Sequence, residues 1–408
     1  MSEPFVIALA GVSQPGYRCL ANAYLRESLK RDVRLPSLAI ATLDFDTSID
    51  AWWIVYEILA LDHVPDLLGF SVYCWNASII YEVLELIHRI RPEQRIVLGG
   101  PEVGPIAELI RECFPFVTYV VTGEGERAIC DVVHAIVRGG DLDLLPSREA
   151  IKNLDEIPSP YTDVHPPATD GSAYLETFRG CPHRCAYCYE GKGTSQIRSF
   201  GWDRIQADID RVARTPGMQS FSFVDSAFNL TKDRLKRLSD ILAPYAARGI
   251  RLHTIEVDIE SIDDEQAALL RRAGVVSVET GPQTTCAKAL ELSNRTFDED
   301  VYRQGVEACK REGIQVESDL IIGLPGDTVE SVLESFRFCV DVDPGVIQAS
   351  TLHVLPGTVL WDRAEELGLK FDSDAPHEVI ETADISYSDL RDLEIFGHAL
   401  GSLYRARL

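Results

Sequence analysis

Arg179-Gly180-Cys181-Pro182-His183-Arg184-Cys185-Ala186-Tyr187-Cys188 gathers three of the chain's ten cysteines into one short loop. Thiolates are soft donors, and a tight loop can set three of them at the corners of an iron–sulfur cubane. The fourth iron then has no protein ligand. An open coordination position is what separates a metal centre that binds a substrate or cofactor from a closed, structural one. The alternative is a structural zinc with His183 as fourth ligand, but closed zinc sites usually pair two short-spaced couples and no second couple is present. The other seven cysteines, Cys19, Cys74, Cys113, Cys130, Cys286, Cys309 and Cys339, stand alone and read as small buried hydrophobes.

The loop follows directly on a strand-like run, Ala173–Phe178. Five more such runs come after it, Gln219–Val224, Arg251–Val257, Val275–Glu279, Gln315–Ile322 and Gln348–Val354, with helical patterns between them. Six β/α units predict a partial (β/α)6 barrel over residues 171–370, with chemistry at the C-terminal ends of its strands, and a short helical C-terminal cap over 371–408. Upstream, residues 1–140 alternate Phe5–Val12, Leu35–Leu43, Asp66–Tyr73, Arg95–Gly99 and Thr118–Val121 with helices such as Ala77–Ile90, where Ile80, Val83, Leu84 and Ile87 recur at helical spacing. The fold class is α/β, with a doubly wound Rossmann-like domain preceding the barrel. Such sheets bind ligands beyond the carboxyl ends of their strands, here the loops Gly11–Tyr17, Asp44–Ser48, Ser71–Asn76, Gly99–Gly104 and Gly123–Glu126. Between the domains, residues 141–170 lose periodicity and accumulate Pro146, Pro158, Pro160, Pro166 and Pro167, the signature of an ordered linker.

Composition narrows the partners. With 46% apolar and 25% charged residues the chain is of ordinary globular type, and 39 basic against 64 acidic residues leave a net charge of −25. That charge repels phosphate backbones and anionic headgroups, so neither nucleic acid nor a membrane is expected as a partner. No apolar run approaches the ~18 residues of a membrane span, and Met1-Ser2-Glu3-Pro4 has no basic n-region, which points to a cytoplasmic location.

The cysteine spacing, an aromatic residue just before the last cysteine, and the position at the end of the first barrel strand resemble the radical S-adenosylmethionine (SAM) superfamily. Phe223-Val224-Asp225-Ser226-Ala227-Phe228-Asn229 is similar to that family's second-strand segment, Val278-Glu279-Thr280-Gly281-Pro282-Gln283-Thr284 to its fourth, and Asp319-Leu320-Ile321-Ile322-Gly323-Leu324-Pro325-Gly326 to its fifth. The resemblance implies a [4Fe–4S] cluster on Cys181, Cys185 and Cys188, with SAM on the open iron. Reductive cleavage of SAM would yield a 5′-deoxyadenosyl radical that takes a hydrogen atom from substrate. Tyr187 would lie near the adenine, Asp225 and Ser226 near the methionine ammonium, Glu279, Gln283 and Asp319 around the ribose or substrate, and Gly323 at the same site. Read without the family, Gly323–Gly326 is a turn closing a strand, and Glu279 or Asp319 a satisfied barrel carboxylate.

In the first domain, Ser71, Tyr73, Trp75 and Asn76 after the third strand, Gly99-Gly100-Pro101-Glu102 after the fourth, and Gly123-Glu124-Gly125-Glu126 after the fifth resemble the cobalamin-binding half of B12-dependent radical SAM enzymes. Glycines there let backbone approach a large planar cofactor. The Asp-x-His-x-x-Gly motif that places a histidine on cobalt in many B12 proteins is absent, since Asp44-Phe45-Asp46-Thr47-Ser48 has no histidine. The resemblance spans residues 5–390 and implies a cobalamin-dependent radical SAM methyltransferase, acting on an unactivated carbon of a small metabolite or natural-product intermediate and drawing electrons from flavodoxin or ferredoxin. Two alternatives stay open: another radical SAM reaction such as ring rearrangement, cyclisation or oxidation, with or without cobalamin, and an iron–sulfur protein that senses or carries electrons.

Overall fold

The structure, a computed structural model, describes residues 4–145, 150–162, 171–190 and 196–407. Contacts divide it into two compact units, one of residues 1–170 with Asp374–Pro376 and one of 171–373 with 377–408. Of the linker prolines, Pro158 and Pro160 are described, while Pro146, Pro166 and Pro167 lie outside the described residues.

The first unit alternates β1 (Phe5–Ser13), α1 (Leu20–Arg31), β2 (Leu38–Asp46), α2 (Ala51–Leu59), β3 (Leu67–Ser71), α3 (Ala77–Ile90), β4 (Ile96–Gly99), α4 (Ala107–Cys113), β5 (Tyr119–Val120) and α5 (Gly125–Arg138). The sheet is wholly parallel in the order β2-β1-β3-β4-β5. Strand alternation supplies a core on each face: Ala8, Ala10, Val12, Leu68 and Phe70 meet α2 and α3, while Ile7, Leu9 and Leu67 meet α1 and α5. Ile80, Val83, Leu84 and Ile87 of α3 are fully buried, each worth roughly 1.5–3 kcal/mol. Strand order reverses between β1 and β3, the switch point at which such sheets take ligands.

The second unit continues with β6 (Ser172–Leu175), β7 (Phe178–Arg179), β8 (Arg198–Ser199), α6 (Trp202–Ala213), β9 (Ser220–Phe223), α7 (Lys232–Ala246), β10 (Arg251–Leu252), β11 (Ile255–Glu256), α8 (Asp264–Ala273), β12 (Ser277–Gln283), α9 (Ala287–Leu292), α10 (Glu299–Arg311), β13 (Gln315–Ile322), α11 (Val329–Val342), β14 (Val346–Thr351), α12 (Val359–Arg363), β15 (Lys370–Phe371), β16 (Val379–Glu381) and α13 (Tyr387–Arg405). Parallel pairing runs β6-β9-β10 and β11-β12-β13-β14, so the wall follows the order of the six expected strands. The third expected strand is split into β10 and β11 because Thr254 takes φ +48, a left-handed turn that interrupts the ladder. In β13 the burial alternates strictly: Val316, Ser318, Leu320 and Ile322 are buried outward, leaving Gln315, Glu317 and Asp319 on the inner face. The C-terminal segment expected as a cap holds the β15–β16 hairpin and the 19-residue α13. Gly397 and Gly401 bring that helix against Ala349 and Ile347 on the outward face of β14, so it covers the wall.

Candidate active site

The cysteine loop hangs between β7 and β8 and is held from several sides. Under it lies Asp225, at the C-terminal end of β9 and 1% exposed. Its carboxylate accepts from the backbone N of Thr177 at 2.7 Å and of Phe178 at 3.3 Å and from the Thr177 hydroxyl, to which Arg234 also donates. Burial raises the Asp225 pKa to about 6 against these bonds. Asp225 is thus engaged with the segment that leads into the loop. Ser226 donates to Gly180 O at 2.9 Å, one residue before Cys181.

A second support was not visible in the sequence. Ser293 O accepts from Ala186 N at 2.8 Å, Asn294 Nδ2 donates to Arg184 O at 2.9 Å, and Arg295 reaches Cys185 Sγ at 3.6 Å, Tyr187 Oη at 3.3 Å and Gly281 O at 2.5 Å. Burial works against the Arg295 charge, but Tyr187 and Cys185 override it and leave the guanidinium above its ordinary pKa. The Arg295 Nε is buried without a partner.

Burial pushes the Cys188 thiol up to about 12, with Glu190, Cys185 and Cys181 adding to the shift, and Cys181 is raised too. The three thiols therefore feel one another, yet among the described residues no three His, Cys, Asp or Glu side chains converge on a point that would hold a single ion. His183, half exposed, lies 3.9 Å from Asp258.

Across the inner wall, strand register sets Glu256 beside Glu279 and Glu279 beside Glu317, and Asp319 follows two residues further along β13. Adjacent strands are about 4.8 Å apart, so these are close like charges. Burial and then Glu279 raise Asp319 to about 9, and burial and Glu279 raise Glu256 to about 7. Asp319 Oδ1 is buried with no hydrogen-bond partner among the described residues. Gln283 ends β12 at φ +64 after a register shift, and a Cβ at Gly281 would collide with Asp319 O and Gln283 Nε2. Gly323, at φ +91, faces Leu390 and Val379 of the C-terminal segment. Of the aromatic residues near these strands, Phe228 is fully buried against Phe223, and Trp361 packs on Phe371 and His377.

In the first unit the loops after β1, β2 and β3 are tied together. Asp44 accepts from Cys19 N at 2.9 Å and pairs with Arg18 at 3.3 Å. Ser71 donates to Asn22, and Asn76, 1% exposed, donates to Val12 O and Ser71 O and accepts from Tyr73 N. Ser71 and Asn76 thus tie the strand-end loops together. Glu124 accepts from Ile151 N, Glu102 and Glu126 are buried, and Gly100 at φ +119 lies so close to Val72 that no Cβ fits. Trp75 stacks on Tyr73, centroids 4.4 Å apart and planes 10° from parallel, and is 54% exposed. Trp52 and Trp53, exposed at the start of α2, stand at the same end of the sheet, and the sequence reading had not singled them out.

Comparison with known proteins agrees with both halves. The model of the radical SAM superfamily matches residues 175–339 and that of the B12 binding domain residues 47–133. The chain carries a radical SAM domain and a B12-binding domain. An uncharacterized methyltransferase of Pyrococcus horikoshii is 27% identical to this radical SAM enzyme over 74% of the present chain and 69% of its own. The cobalamin-dependent radical SAM methyltransferase TokK of Streptomyces tokunonensis is 24% identical over 89% of this chain but only 58% of its own. The structure of the radical SAM methyltransferase TsrM from Kitasatospora setae, with cobalamin and a [4Fe–4S] cluster bound, superposes with a TM-score of 0.74 at 20% identity, covering 91% of this chain and 81% of that one. This last likeness carries the fold. The domains imply three cofactors, a [4Fe–4S] cluster, SAM and cobalamin, for a small-molecule substrate. The residues present suit each: three thiols with a guanidinium beside Cys185 for the cluster, a row of carboxylates on adjacent strands for a cationic sulfonium compound, and an exposed aromatic stack in a loop that follows a glycine-containing strand end for a planar corrin. Among the described residues no helix is long and apolar enough to cross a membrane.

Proposed function

We propose that this radical SAM enzyme is a cobalamin-dependent methyltransferase, adding a methyl group to an unactivated carbon of a small metabolite or natural-product intermediate. The observation that carries the reading is that each unit gathers distinctive side chains where its parallel strands end: the stacked Tyr73–Trp75 pair in the first, the cysteine loop beside a row of carboxylates in the second. Relatives named as cobalamin-dependent or carbon methyltransferases support it. When bound, the cluster would supply the electron that cleaves SAM and cobalamin the methyl group to be delivered.

In this reading Cys181, Cys185 and Cys188 hold the cluster, Ser226 and Asp225 keep their loop in place, and Tyr187, Glu279, Gln283 and Asp319 line the SAM and substrate space. Tyr73 and Trp75 cover one face of the corrin, with Gly99, Gly100, Pro101, Glu102, Gly123, Glu124, Gly125 and Glu126 shaping its surroundings. The enzyme works in the cytoplasm with flavodoxin or ferredoxin as electron donor. The test is anaerobic reconstitution with SAM, hydroxocobalamin and a low-potential reductant, followed by product analysis. Methyl transfer predicts S-adenosylhomocysteine alongside 5′-deoxyadenosine, and a product heavier than substrate by one methylene unit. A protein that yields 5′-deoxyadenosine alone and retains no corrinoid is a radical SAM enzyme of another reaction.

A further inference from the structure

The segment Ser293-Asn294-Arg295, 110 residues from the cysteine it touches, lies along the whole central part of the iron–sulfur loop. Asn294 turns the chain at φ +52, and Arg295 N closes that turn on Leu290 O at 2.9 Å. Ser293 O, Asn294 Nδ2 and the Arg295 guanidinium then meet Ala186, Arg184, Cys185 and Tyr187 in succession. The guanidinium's other arm ends on Gly281 O at 2.5 Å, at the register shift of β12. Arginine suits such a place because its planar fork holds several acceptors at once and keeps its charge when buried.

We infer that Arg295 is a positioning residue of the cluster loop, which fixes Cys185 and Tyr187 against β12 and sets the cluster's reduction potential by placing a positive charge on a ligand sulfur. Cluster potentials respond to net charge and to hydrogen bonds on the sulfurs. A cation beside Cys185 favours the reduced, more negative cluster. The inference rests on the [4Fe–4S] assignment and is independent of methyl transfer.

The experiment is an EPR-monitored redox titration of the reconstituted full chain without SAM, after iron and sulfide assay. Wild type that holds no cluster sinks the cofactor assignment itself. Given a cluster, R295Q should lower the reduced fraction at fixed potential about tenfold, a shift of ~59 mV to the negative for a one-electron couple. R295K, which keeps the charge without the fork, should recover most of that shift, and Y187F should leave the potential unchanged. A purely structural role would not order the variants by charge. R295Q at the wild-type potential, or R295K shifted as far as R295Q, overturns the inference. If R295Q loses its iron, retention by R295K at the wild-type potential supports it and iron loss by R295K as well overturns it.

Discussion

Asp225 is buried at the base of the cysteine loop and bonded to the residues that lead into it. Its carboxylate is buried where ionisation is costly, and two backbone N–H groups and a hydroxyl hold it there. Hydrogen bonds to a charged group contribute about 1.5–3 kcal/mol, and asparagine would turn an N–H toward a donor that now finds an acceptor. D225N should therefore lower the unfolding free energy by roughly 1.5–3 kcal/mol in denaturant titrations. Because Thr177 and Phe178 lead directly into Arg179-Gly180-Cys181, the same variant should also bind less iron on reconstitution. Wild-type iron content in D225N would show that the loop keeps its shape without this anchor.

At the scale of the strands, Glu256, Glu279, Glu317 and Asp319 make one acidic surface from three separate segments, and its protons are linked to folding. Asp319 is raised from 3.8 to about 9 and Glu256 from 4.5 to about 7, so the folded chain retains protons that the unfolded chain has released. Stability must then fall as pH rises through this window. Unfolding midpoints of the protein without SAM should drop between pH 5 and pH 9, and D319N should flatten the upper part of that drop. At pH 9 the variant should be the more stable by roughly 1–3 kcal/mol, the scale of a buried polar group without a partner. Equal slopes for both proteins would contradict the linkage. The same strands show what a linear sequence discloses. Period-two alternation revealed β13 over its full length, and helical spacing gave α3 its bounds, because both patterns are local. The acidic row depends on register, which tertiary pairing sets, so only Glu279 and Asp319 could be singled out. Arg295 sits in an unremarkable Ser-Asn-Arg turn, and the break at Thr254 depends on a backbone angle that its neighbours do not signal.

The chain as a whole divides into two units, each with its own parallel sheet system. If the aromatic stack and the glycine-containing loops hold cobalamin and the thiols hold the cluster, the two contents must respond to different substitutions. Trp75 is half exposed, so W75A removes aromatic area from the surface without opening the core, and corrinoid content should fall several-fold while iron stays at the wild-type level. In G100A a Cβ is forced against Val72 at a φ that L residues rarely adopt, at a cost of about 1–3 kcal/mol, so corrinoid should be lost together with some stability of the first unit. C188S should do the reverse, losing the iron–sulfur absorbance while retaining hydroxocobalamin through gel filtration. Corrinoid and iron measured on the same reconstituted samples decide the matter. Were W75A and G100A to bind cobalamin as wild type does, the first unit's glycine-shaped loops would be structural alone, and the activity would have to be sought among radical SAM reactions that need no corrinoid.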